Sequence, residues 1–353
     1  MRFSLQEMLE TIRASSGSPA LSAVVVTSEE IVDAAAVGVK RLGEMDEISV
    51  HDIFHAGSNA KAMTATMCGS LVSEGALAWD TTPKDVFSSD DTEFLPAYER
   101  VTLRLLLMHH AGVPPYTDDE ADDYVIPDLS DVRRDGQIRA FSEWVLANRP
   151  PVVEPGTEFS YSNAGYAIAG AMAEAATGLR WEALLQKHVF EPLGISAMAG
   201  KGWPAKSDSS QPWGHLGEEG DWRPHPPNDA YQLSPCLAPA GDVGLSISDY
   251  GRFLQVHLRG LRGKESILPS PLVRDLHNGG EPGTGMGWNV KELKRLQGFG
   301  LLSTHGGSAR TFIMLAAVAH RVDLAVGVAG NCWGTQAEID GMKDIFIEYA
   351  KRA

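Results

Sequence analysis

Strand-forming sequence sits near the two ends of this chain, while the middle reads as helices and loops, and that placement constrains the fold more than any other feature. Near the N-terminus, residues 21–27 (LSAVVVT) and 31–39 (IVDAAAVGV) are β-rich and separated by a short polar connection, which predicts a hairpin. Near the C-terminus, residues 301–304, 312–319 and 322–328 are strand-like, the last two joined tightly through His320 and Arg321. Each set is flanked by a helix with a capping box. Ser4 and Glu7 open the first, whose apolar face is Leu5, Met8, Leu9 and Ile12; Thr335 and Glu338 open the last, with Ile339, Met342, Ile345, Phe346 and Tyr349 as its face. Between them, helical patterns cover residues 58–74, 138–147, 165–177 (closed by Gly178), 181–190 (stopped near Pro192) and 248–258. Two stretches read as long surface loops, the acidic 118–135 and the Pro-, Gly-, Ser- and Trp-rich 206–229. A sheet must therefore assemble from both termini, with the helical part inserted into it. The expected class is α/β of the α+β kind: an antiparallel sheet flanked by N- and C-terminal helices, plus an inserted, mainly helical lobe. The sheet lobe is expected at residues 1–60 and 285–353 and the inserted lobe at 61–284, with the active site in the cleft between them.

With 353 residues the chain fits one large domain or two closely packed lobes. Its 30 basic and 46 acidic side chains leave a formal charge of −16, which repels phosphate backbones and anionic headgroups; nucleic acid and membrane are not expected partners. No run reaches the roughly 18 apolar residues of a membrane span. The opening MRFSLQEMLETIRASS lacks the apolar centre of a signal peptide, so a cytoplasmic location is expected. Cys68, Cys236 and Cys332 are far apart and odd in number, which fits buried free thiols better than a disulfide framework or a metal site.

Chemistry concentrates in three places. In HAGSNAKAMTATM, Ser58 stands where an extended run becomes a helix, and Lys61, three residues on, lies one turn along the same face. A serine hydroxyl becomes a useful nucleophile only when a base takes its proton, and a lysine in a dry site can be neutral enough to do so. This is the only S-x-x-K of the chain. About a hundred residues later, PGTEFSYSNAGYAIAG contains the only Y-x-N, Tyr161 to Asn163. A tyrosine beside a lysine ammonium loses its proton more readily and can act as a base, while the asparagine amide can hold substrate or lysine and also cap the helix that follows. The third place is His305-Gly306-Gly307-Ser308, between two strand runs, where a strand edge can pair with substrate and glycines permit close approach. H-x-G alone carries little information, since it recurs at His55, His110, His215 and His277.

Taken together and in this order, the three elements resemble those of the serine β-lactamase and penicillin-binding protein superfamily, in its class C-like branch of esterases, D-aminopeptidases and related serine hydrolases. VTLRLLLMHHAGVPPY, HVFEPLGI, PAGDVGLSISDYGRF and GMGW are similar to that branch too, so the likeness runs over roughly residues 20 to 330. The resemblance implies a β-lactamase-like fold and an acyl-enzyme on Ser58, with Lys61 and Tyr161 sharing the general-base and general-acid work. It further implies that Asn163, His305, Gly306 and Gly307 contact substrate and that the backbone N–H groups of Ser58 and Ser308 form the oxyanion hole. True β-lactamases and transpeptidases usually carry K-T-G where this chain has His305-Gly306-Gly307. Losing that lysine favours small ester or amide substrates over β-lactams; the alternative is a β-lactamase, or a penicillin-binding or sensing protein that acylates with little turnover.

Other motifs point nowhere in particular. G-x-S-x-G, H-E-x-x-H and a Walker A loop are absent, and no cofactor or metal is expected. The acidic run Asp118, Asp119, Glu120, Asp122 and Asp123 reads as a solvated loop. His109 and His110 point to different sides and are expected to support the floor of the site. His215, His225, Trp213 and Trp222 fall in the Pro-rich loop, a candidate substrate lid or plain surface.

Overall fold

A computed structural model describes residues 3–87, 93–117, 126–200, 208, 210–227, 233–278 and 283–352. Both capping boxes form. Ser4 Oγ accepts the Glu7 N–H at 3.2 Å and the Glu7 carboxylate accepts the Ser4 N–H at 2.7 Å, opening helix Leu5–Ser16. Thr335 and Glu338 do the same for helix Gln336–Ala350, and Glu338, fully buried, also accepts from Ser18 Oγ, which ties the two terminal helices together.

The N-terminal hairpin is β1 (Ala20–Val26) and β2 (Ile31–Gly38). Five short strands follow: β3 (Ile53–His55), β4 (Ala197–Ala199), β5 (Gly214–Leu216), β6 (Arg223–His225) and β7 (Val243–Ser246). The C-terminal set is β8 (Gly283–Gly285), β9 (Trp288–Lys291), β10 (Leu302–Ser308), β11 (Ile313–Ala319) and β12 (Ala325–Gly330). β1 and β2 join these last five in a seven-stranded antiparallel sheet, ordered β2-β1-β12-β11-β10-β9-β8, so the two ends of the chain meet where β1 pairs with β12. Every residue of β1, β11 and β12 is buried, because helices cover both faces.

Alternation sorts the two cores. Leu21, Ala23 and Val25 of β1, with Leu315, Ala317, Val326 and Val328, pack against Leu5, Leu9, Ile345 and Phe346 of the terminal helices. Val24 and Val26, with Met314, Ala316 and Val318, face the larger core on the other side. That core is closed by helix Ile247–Leu261, which carries Tyr250, Phe253 and Leu254. Beyond it lies helix Ala60–Ser73, buried on every side from Ala60 to Gly69, an apolar rod whose one full charge-bearing side chain, Lys61, has no solvent exposure at all.

Some expectations need correction. The helix stops near Pro192 as expected but is not one regular α-helix: Trp181–Leu185 passes into a wider π-turn over Gln186–Phe190, and a last turn Glu191–Leu193 ends at left-handed Gly194. Pro192 lacks the N–H an α-helix would donate to His188, and the wider turn absorbs the break. Residues 214–225 are not merely a surface loop but a hairpin of β5 and β6. His215 within it is fully buried, with Nδ1 2.8 Å from Asn331 O and Nε2 accepting the Leu42 N–H at 3.1 Å. Of the 206–229 stretch, residues 206, 207, 209, 228 and 229 lie outside the described residues, as do the acidic residues 118–123. All three cysteines are buried and free. Among the described residues no helix is long and apolar enough to cross a membrane.

Candidate active site

The turn that carries Ser58 is built by pairing between distant segments. β3 runs antiparallel to β7 with His55 opposite Gly244, and the Ala56 N–H donates to Val243 O at 2.8 Å. This register brings residues 240–242, just before β7, alongside the first turn of helix Ala60–Ser73. His55 Nδ1 accepts the Gly57 N–H at 3.0 Å, and its Nε2 lies 3.5 Å from the Asp242 carboxylate. Gly57 has φ +52°, and a Cβ there would stand 2.7 Å from the backbone N and O of Ser308. Gly307 is excluded from side chains more severely, since its Cβ would meet Ala56 O at 2.0 Å. The glycines of the third motif thus let β10 press against the Ser58 turn. Buried Asn59 locks the arrangement: Nδ2 donates to Met314 O at 2.8 Å, and Oδ1 accepts from Tyr250 Oη at 2.6 Å.

Ser58 Oγ lies 3.2 Å from Lys61 Nζ and accepts from Tyr161 Oη at 2.8 Å. Lys61 Nζ also donates to Asn163 Oδ1 and to Ala240 O, each at 2.7 Å. Burial holds the lysine well below its ordinary pKa. A neutral amine has two N–H bonds and one lone pair. With both N–H groups engaged by Asn163 and Ala240, the lone pair is left for Ser58 Oγ. Burial also pushes the Tyr161 phenol up to about 12, against a smaller lowering by the Ser58 hydrogen bond. Burial thus shifts Lys61 toward its neutral form and Tyr161 toward its protonated form, the arrangement in which the amine can take a proton and the phenol can give one.

Asn163 differs from expectation as well. The cap of helix Asn163–Thr177 is Ser162, whose Oγ accepts the Gly165 N–H at 2.9 Å. Asn163 is freed to serve the lysine, and its Nδ2 donates to Tyr116 O at 2.9 Å. Strand β9 pairs β10 only at Leu302, Ser303 and Thr304, so among the described residues no strand lies on that side of the edge from His305 to Ser308. Because the Ala309 N–H donates toward Phe312 O, alternation turns the Ser308 N–H to the opposite, unpaired side, facing Gly57 and Ser58. Gly306 and Ser308 are exposed, and Gly307 is buried beneath them. His305 is buried, its Nδ1 2.6 Å from Gly287 O, and burial lowers it to about 4. It is an uncharged ring at neutral pH.

The motifs thus meet, and the structure adds a partner that sequence reading missed, the Ala240 carbonyl, for which only the PAGDVG stretch was a signal. His109, expected to support the floor of the site, lies with its ring against that of Tyr161. Among the described residues no three His, Cys, Asp or Glu side chains converge as metal ligands would.

The chain is similar to Penicillin-binding protein 4 of Amycolatopsis lactamdurans, 28% identical over 315 residues that make up 86% of this chain and 79% of that one. Across its first three curated relatives the chain spans between 41% and 79% of their length. In structure it is similar to the octameric penicillin-binding protein homologue from Pyrococcus abyssi, with TM-score 0.77, 22% identity, 96% of this chain and 75% of that one. D-amino acid amidase from Ochrobactrum anthropi SV3 superposes with TM-score 0.70 at 19% identity, over 98% of this chain and 95% of that one. The Beta-lactamase family model matches residues 5–344, nearly the whole chain, and the chain belongs to that family.

Proposed function

We propose that this protein is a serine hydrolase that forms an acyl-enzyme on Ser58 from small carboxylic esters or amides, D-amino-acid amides included. The observation that carries this is the Ser58 hydroxyl held between a buried amine at 3.2 Å, whose pKa burial lowers, and a buried phenol at 2.8 Å, whose pKa burial raises. As Ser58 Oγ attacks the substrate carbonyl, its proton passes to the Lys61 lone pair. The Ser58 and Ser308 N–H groups receive the developing oxyanion, a contribution of a few kcal/mol in such sites. Tyr161 gives its proton to the leaving oxygen or nitrogen, and Lys61 restores it. Water then repeats the sequence on the acyl-enzyme, regenerating Ser58. The remaining N–H of Asn163 Nδ2, the unpaired edge at Gly306 and the neutral His305 ring border the substrate. An uncharged imidazole offers no cation for a substrate carboxylate, which supports uncharged esters and amides over penicillins and cephalosporins.

The test is intact mass after a fluorophosphonate, with Ser58→Ala as control, followed by p-nitrophenyl esters, D-amino-acid amides and a chromogenic cephalosporin. One adduct per chain is expected, absent in Ser58→Ala. The best ester should exceed the cephalosporin by at least about tenfold in kcat/KM, or roughly 1.4 kcal/mol. Labelling that survives in Ser58→Ala removes the nucleophile assignment. The relative named as a penicillin-binding protein supports a second reading, acylation with little turnover. A β-lactam adduct that persists for hours, with no ester turned over, would establish it instead.

A further inference from the structure

Three non-glycine residues among those described have left-handed backbones: His109 (φ +60°), Tyr116 (φ +48°) and Arg310 (φ +60°). All three border the site. Arg310 follows Ser308 by two residues, and the other two begin and end the segment that supports Tyr161 and Asn163. Non-glycine residues hold this conformation only where the surroundings enforce it, and such positions gather at functional sites.

The segment acts as a template. His109 O accepts the Ser160 N–H at 2.7 Å, and His109 Nδ1 accepts the Ser162 N–H at 3.0 Å, so a single residue grips the chain on both sides of Tyr161. Further along, Ser162 Oγ donates to Pro114 O at 2.7 Å, the Asn163 N–H to Pro115 O at 2.7 Å and Asn163 Nδ2 to Tyr116 O at 2.9 Å. The His109 ring lies against the Tyr161 ring, with centroids 4.4 Å apart and planes tilted by 32°, and it also touches Tyr166 and Phe159. Its grip requires an unprotonated Nδ1. Burial keeps the imidazole neutral.

We propose that His109 is the positioning residue for Tyr161, its left-handed backbone aiming carbonyl and ring nitrogen at the two flanking amides so that the phenol stays on Ser58 Oγ. This rests on the reading of Tyr161 as proton donor. It differs from ordinary core packing because only one of the hydrogen bonds comes from the side chain, and that one acts on the residue next to the tyrosine.

Two substitutions separate the possibilities. Glycine adopts positive φ freely, so His109→Gly relaxes the backbone while deleting ring and acceptor. Asparagine tolerates the same region and supplies an Oδ1 that can accept the Ser162 N–H. With p-nitrophenyl butyrate, His109→Gly is expected to lower kcat by about 30-fold or more with KM within about threefold, and His109→Asn to recover to within about fivefold of wild type. Fluorophosphonate labelling rates should follow kcat. The decisive measurement is the double variant: His109→Gly with Tyr161→Phe should be little slower than Tyr161→Phe alone, because the first change acts through the second. Losses that multiply in the double variant, or a His109→Gly kcat within threefold of wild type, overturn the positioning role alone. A Tyr161→Phe enzyme as fast as wild type overturns the proton-donor reading and this role with it. Should His109→Gly lose cooperative unfolding, a His109→Asn enzyme slowed more than about tenfold serves as the overturning result.

Discussion

Of the buried polar networks that touch helix Ala60–Ser73, two form a contrast, and the proposed function draws on one of them. At its first turn, Lys61, Ser58, Tyr161, Asn163 and the Ala240 carbonyl form the first. One turn further along, Thr66 Oγ1 starts a second that runs through His257 (3.4 Å), His277 (3.0 Å) and Ser303 (2.6 Å) to His320 (2.8 Å). In the second, donor and acceptor roles follow from one end. Thr66 gives its proton to Ala62 O at 2.7 Å and must accept from His257; His257 then accepts from His277, His277 from Ser303, and Ser303 from His320. Each of these protons is donated inside the protein. The Trp288 ring stacks on His277 and closes the line off. In the first network the bookkeeping leaves a lone pair on Lys61 facing a half-buried hydroxyl, beside an unpaired strand edge. Buried polar groups are therefore no sign of a site by themselves; a site is where the hydrogen bonding leaves a proton able to move.

Experiments can break this contrast. The largest effect is expected for Lys61→Met, which keeps the length of the side chain and removes the base: kcat should fall by about three orders of magnitude, measured on the best ester of the panel. An activity within a few fold of wild type would make the first network as structural as the second. Tyr161→Phe should come next, with kcat about a hundredfold lower and KM within a few fold, since the ring still packs against His109 while the proton is gone. A raised KM with unchanged kcat would reduce the tyrosine to a substrate contact.

The smallest effect on turnover is expected for His277→Phe, within about threefold in kcat/KM, accompanied by a stability loss of about 1–3 kcal/mol at pH 7 from the hydrogen bonds left unmade. pH sharpens the point. Burial lowers His257 to about 3 and His277 in the same direction, so both are neutral in the folded protein while the unfolded chain binds protons below about 6.5. Their contribution to stability is complete above that pH and is lost as pH falls, by up to about 1.4 kcal/mol per pH unit for each ring. Glu174, raised by burial to about 7, works in the opposite direction over part of this window, so the informative quantity is wild type minus variant. Urea unfolding between pH 7 and 5 should show a shallower decline for His277→Phe. Equal slopes would mean that the ring is not a buried neutral histidine in solution.

Much of the fold was legible because it depends on neighbours in the chain. Both capping boxes, the N-terminal hairpin and the three C-terminal strands follow from residue types three or two positions apart. The π-turn just before Pro192 was not, because such a turn depends on packing rather than on a residue pattern. His215 was misplaced for a related reason: a Pro- and Gly-rich segment reads as solvent-exposed until it is seen that Asn331 and Leu42, far away in sequence, fix both ring nitrogens. At the site, Ser58, Lys61, Tyr161 and Asn163 were identified from the motifs, yet the helix cap was assigned to Asn163 when Ser162 takes it. Both residue types cap helices well, and only the lysine's demand for an acceptor decides between them.

By itself, the sequence determined that a sheet had to close across the chain's ends and that Ser58 and Lys61 would share one face of a helix turn. Hydrogen bonding within a few residues and the periods of strand and helix suffice for that. The tertiary structure decided what state those side chains are in. Burial in a core assembled from distant segments lowers the Lys61 pKa, and the amine is oriented because β3 pairing with β7 delivers Ala240 O and the template at residues 109–116 delivers Asn163 Oδ1. Desolvation and the spending of each N–H depend on every group around an atom, and those groups come from segments that only folding brings together.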